Sequence, residues 1–207
     1  MSQSFKDEQG ELFPLLDAVT DPRPLDPPAR IMLLDPAYDS VMRANGGTYW
    51  LTAGTEAALL WDATLDSFAH GIWAGTIVCA QAVCERTLAS LIETWYAIHP
   101  QPKGWRMWGL GRLVAHFRDS NLADPNLLDQ VQHVCDARKP FGHWRLPMDA
   151  GSLTKVGYDA YSAGGDCQEA QDVYVAKTAF LCAQTAVRVH FGDLLAAMPD
   201  RTGALDG

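Results

Sequence analysis

The stretch "DARKPFGHWR", residues 136 to 145, gathers Arg138, Lys139, His143 and Arg145 around a Pro-Phe-Gly. These residue types suit phosphate chemistry. A histidine ionises near neutrality, so it can take up a proton and return it. An arginine keeps its charge and steadies the negative charge that builds on a phosphoryl group in a transition state. In RNA the 2′-hydroxyl is an internal nucleophile, so cleavage by such a pair needs no metal. Arg138 and His143 are the candidate catalytic residues. Lys139 and Arg145 are the candidate phosphate contacts, in a positioning role.

Elements must bring these side chains together. Asp124 can cap a helix with Pro125 at its first position. Leu127, Val131 and Val134 then form one stripe, and continuing it by one turn reaches Arg138. The arginine is thus expected on the core-facing side, where an unpaired charge is costly. A partner is available on the helix read at about Ile72–Ile98. On the face Val78, Ala82, Glu85, Ala89, Ile92, only Glu85 is charged, so Glu85 is expected to neutralise or orient Arg138. Pro140 disfavours the helical region at Lys139, so this helix is expected to end near Arg138, with the chain turning to present His143.

The rest of the pattern is helical almost throughout. Residues 20–30, "TDPRPLDPPAR", hold four prolines and read as an extended linker. A short helix-like segment ends at Gly46-Gly47. Thr55 is the expected cap of a helix running to about Gly71. Further helices are expected over about Met107–Arg118 and Gln168–Ala197, the last with Val173, Ala176, Phe180, Val187 and Leu194 on its inner seam. Strand signals are few. The expected fold is all-α, a bundle of four to five main helices. The expected organisation is an N-terminal arm and Pro-rich linker (1–30), N-terminal helices packed on the bundle (31–70), the bundle proper (71–198) and a C-terminal tail (199–207).

Composition narrows the function. The formal net charge is −9 and 48% of residues are hydrophobic, which supplies a substantial core. The charge is uneven. Residues 1–70 carry four Lys/Arg against eleven Asp/Glu, whereas residues 101–145 carry seven against four. A local basic region in an acidic chain reads either as a solvated face or as an anion contact. The five cysteines are odd in number and mostly lie in apolar helical patterns, as small hydrophobes in a reducing compartment do. His133 and Cys135 lack a second ligand pair, so no metal is expected. No phosphate loop, dinucleotide fingerprint, nucleophile elbow or zincin helix is present, and no cofactor is expected. The polar, acidic start is unlike a signal peptide, and no long apolar run suits a transmembrane helix. A cytoplasmic protein is expected.

Other chemistry-bearing residues take structural readings. His116 is expected at a rim, His99 at a helix C-terminus and His190 within the last helix. Trp105, Trp108 and Trp144 flank the basic segment, as core or dimer contacts rather than stacking platforms.

Arg138-x4-His143 resembles the R-x4-6-H motif of HEPN domains. "AQAVCERTLASLIE" resembles the family's long early helix. "GLGRLVAHFRDSNL…LLDQVQHVCDARKPFGH" is similar to its "LG-x-L-I" helix and the motif-bearing helix that follows. "AQDVYVAKTAFLCAQTAVRVHFG" is similar to its last helix. The resemblance spans about residues 70–198. Lys139 stands where the family commonly has Asn, Asp or His. The resemblance implies a small helical bundle. It also implies a metal-independent endoribonuclease of toxin or defence type, with Arg138 and His143 meeting their counterparts across a homodimer. RNA and an antitoxin or other regulatory protein are then the expected partners. The alternative is a non-catalytic HEPN-like module that binds a nucleotide or a protein.

Overall fold

The computed structural model describes residues 16, 18–49, 53–97, 99–142, 146–149, 151–192 and 194. The described residues are helices and their connections, with no strand. In chain order they form α1 (Pro27–Met32), α2 (Asp35–Ala44), α3 (Gly54–Ala69) and α4 (Trp73–Trp95). A 3-10 turn (Trp105–Met107) precedes α5 (Leu110–Asp119), α6 (Pro125–Gly142), α7 (Leu153–Ser162) and α8 (Cys167–Phe191). None of the described helices is long and apolar enough to cross a membrane.

Helix α4 is central because it has apolar or small residues on more than one face. Ile77, Ala80, Val83, Cys84, Leu88 and Leu91 are all essentially inaccessible. It packs against α3, α8, α6 and α5. Helix α8 supplies the second wall. Ala176, Phe180, Val187 and Leu194 of its expected seam are buried, but the α-helix ends at Phe191. The cysteines at 79, 84, 135, 167 and 182 are free thiols.

The proline-rich segment departs from an extended linker. Pro27 and Pro28 occupy the first turn of α1, where a missing N–H costs nothing, and Asp26 caps it through Ala29 N–H at 2.9 Å. Arginines dock this segment. Arg30 donates to the carbonyls of Pro22, Arg23 and Ala69 at 2.8–3.0 Å and lies over the Trp73 ring. Arg23 bridges Asp21 and Glu169, each at 2.7 Å.

Two boundaries also differ. Thr55 does not cap α3, which begins at Gly54 after Ala53 with no side-chain cap. Helix α6 does not end near Arg138 but runs through Pro140 to Gly142. A proline in the final turn removes one hydrogen bond near a frayed end, where Phe141 still packs on the core.

Helix α7 lacks a sequence-level expectation altogether. Ser152 caps it through Lys155 N–H at 3.1 Å. Gly157 lets it lie close on α8, since a Cβ there would fall 2.6 Å from Gln171 Nε2.

Candidate Arg–His site at the end of helix α6

Helix α6 starts as its residues dictate. Asp124 Oδ1 accepts from Asn126 N–H at 3.1 Å, with Pro125 at the first helical position. Leu127, Val131 and Val134 are buried and anchor the stripe. One turn on, Arg138 is half-buried, with its Nε out of reach of water. Its guanidinium folds along the helix over Gly142. A Cβ at residue 142 would sit 2.8 Å from Arg138 Cζ and 2.9 Å from its Nε. The arginine therefore reaches the last residue of α6, directly before position 143. His143 and Arg145 lie outside the described residues, as does Trp144.

Lys139 is engaged locally. Its ammonium pairs with the Asp136 carboxylate one turn back, and Gln132 Nε2 donates to both oxygens of that carboxylate at 3.2 Å. The pair is partly exposed, so it contributes little to stability. It does neutralise one of the cations expected to meet phosphate. Arg118 pairs with Asp129 at 2.6 Å, so a second cation of this region is also engaged by a neighbouring acid.

Glu85 is placed beside the same cluster but serves helix α5. Its Oε2 accepts from Leu110 N–H at 3.0 Å and from Gln81 Nε2 at 2.8 Å. Gly109 precedes α5 and has no side chain to cap it, so a carboxylate from α4 satisfies an orphan donor at the positive end of the helix dipole. Cys135 sits next to this junction. Its Sγ would be 3.6 Å from a Cβ on Gly111, and burial raises the thiol pKa, with Asp136 and Glu85 adding to the rise. Thus α4, the start of α5 and the end of α6 converge here. The capping role of Glu85 depends on two residues 25 apart in the chain, one on each helix, meeting. Its only sequence signal is a glycine where α5 needs a cap.

The remaining candidates behave as packing residues. His116 Nε2 lies 2.9 Å from Tyr96 Oη, and burial lowers its pKa. His99 Nδ1 meets Trp95 O at 2.9 Å, closing the end of α4. Trp105 is buried with Arg106 over its ring at 4.9 Å, and Arg112 covers Trp108 at 4.5 Å. Among the described residues no group of three or more His, Cys, Asp or Glu side chains converges as metal ligands do.

Comparison with protein-family models, with curated proteins and with solved structures finds no match to this chain.

Proposed function

We propose that this chain is a HEPN-like RNA-acting protein, a metal-independent endoribonuclease in which Arg138 and His143 act together across a homodimer. The observation that carries the reading is the fold of Arg138 over Gly142, which holds a permanent cation at the doorstep of residue 143. In the proposed step His143 takes the proton of an RNA 2′-hydroxyl, whose oxygen attacks the adjacent phosphorus. The P–O5′ bond breaks, and the leaving 5′-oxygen is protonated by a protonated histidine, that of the same or the facing motif. The products are a 2′,3′-cyclic phosphate and a 5′-hydroxyl. Arg138 offsets the charge on the phosphorane oxygens as it grows.

One observation favours the non-catalytic alternative at a single position: Lys139 is held by Asp136 rather than presented to a ligand. RNA cleavage separates the two readings. Wild-type protein should cleave RNA equally well with and without EDTA, leaving cyclic-phosphate ends, whereas Arg138→Ala and His143→Ala should each lose at least about a hundredfold in rate. Activity that survives both substitutions overturns the assignment, and activity abolished by EDTA overturns the metal-free step.

A further inference from the structure

A cleft of about 430 Å³ opens between α2, α6 and α8, with Gln130, His133, Val134 and Ala137 as its α6 wall. Its volume is that of a small-molecule site, for which about 300–1,000 Å³ is usual. Ala37, Val134, Ala137 and Leu181 give it apolar walls. Ser40, Gln130, His133, Thr178, Gln184 and Arg188 give it a small polar set. Among the described residues that line it there is no Asp or Glu, although the chain carries 25 such residues.

Two side chains point to a ligand. Thr178 is 5% exposed, and its hydroxyl is buried with no hydrogen-bond partner among the described residues. Four helical threonines donate to the carbonyl four residues back: Thr64 to Leu60, Thr76 to Ile72, Thr94 to Ser90 and Thr185 to Leu181. Thr87 in the core of α4 is without a partner among the described residues, as Thr178 is, but of the two only Thr178 lines the cleft, where a ligand could enter. An unmade buried hydrogen bond is costly until something supplies the acceptor. Arg188 is the second. Gln130 Oε1 accepts from its Nη1 at 2.6 Å and fixes the guanidinium across the cleft from α6. The guanidinium carries five donors in all, in a fork suited to a carboxylate.

We infer that this cleft binds a small organic anion, an apolar body ending in a carboxylate, with Arg188 holding the carboxylate and Thr178 donating to an oxygen of the ligand. The inference stands apart from the RNA reading, because Arg138 is not among the described residues that line the cleft. Octanoate is the probe. Acetate and octan-1-ol are its controls, the first lacking the body and the second the charge. In a methyl-NMR titration of the full chain, octanoate should bind saturably and shift the methyl signals of Val134, Ala137 and Leu181. Both controls should bind at least about tenfold more weakly, octan-1-ol for want of the charge-assisted contact and acetate for want of the buried methylenes. Arg188→Met should weaken octanoate binding by a similar factor, and Thr178→Val by about threefold. Ala137→Leu, which narrows the cleft without touching Arg188, should also weaken binding. Octanoate that fails to bind, shifts signals on another face, or binds Arg188→Met and Ala137→Leu as tightly as wild type overturns the inference.

Discussion

At the scale of single residues, Gly142 governs where the Arg138 guanidinium lies. The atoms a Cβ would strike are the far end of a flexible side chain. Alanine at 142 therefore displaces the guanidinium rather than breaking the helix. Because alanine is a better helix former than glycine by about 1 kcal/mol, the folded state should not suffer. Gly142→Ala should leave the thermal midpoint unchanged or slightly raised, while the RNA cleavage proposed above falls at least about tenfold. Equal kcat in the variant and wild type would separate the position of Arg138 from the chemistry. Position 139 shows the limit of reading charges one by one. Lys139 looks like a phosphate contact in a basic run, but Asp136 stands three residues earlier on the same helical face and pairs with it.

At the scale of elements, Glu85 joins α4 to α5. Removing its carboxylate leaves the Leu110 N–H without its acceptor at a half-buried helix start. Glu85→Ala should lower the unfolding free energy by about 1–3 kcal/mol in a denaturant titration, and Glu85→Gln, which keeps an acceptor oxygen, by less. If Glu85 acts instead through Arg138, both variants lose RNA cleavage with the stability unchanged. The long helices were legible because their apolar stripes are strong. Leu127, Val131 and Val134 locate α6, and Ile77, Cys84, Leu88 and Leu91 locate α4. Helix α7 was not, since its sole buried helical residue is Gly157 and it exposes Tyr158 and Tyr161. Its position follows from tertiary fit to α8, through Gly157 and the Gln171 bond to Leu153 O at 2.8 Å. The end of α6 departs from its local sequence signal for a related reason. Local steric preference places a stop near Arg138, ahead of Pro140, while the helix, with Phe141 packed on the core, runs four residues further to Gly142. Of the candidate site, the buried stripe that leads to Arg138 was legible from periodicity. The Glu85 cap was not, because it exists only once α4 and α5 have met.

At the scale of the whole molecule, the meeting of α2, α3 and α8 contains a group that ties global stability to pH. His190 is 1% exposed, and neither ring nitrogen has a hydrogen-bond partner among the described residues. Trp61 from α3 and Phe191 surround it, with ring centroids 6.3 and 4.7 Å away, and Tyr38 from α2 packs on both of these aromatics. Burial holds its pKa below the ordinary 6.5, and Asp62 only partly opposes this. The charged ring is thus disfavoured in the folded chain, while the unfolded chain protonates freely. Between the folded and ordinary pKa values the unfolded state binds more protons, so stability rises with pH. It is fully present above about pH 6.5 and is lost as pH falls from there through the folded-state pKa. His116, whose pKa burial also lowers, adds to the slope in the same direction. Unfolding midpoints in urea, measured from neutral pH downward, should therefore fall on the acid side. His190→Leu, similar in volume and without the unsatisfied nitrogens, should be at least as stable as wild type at neutral pH and lose most of that acid dependence. A variant that keeps the full slope would assign the pH response to His116 or to the carboxylates instead.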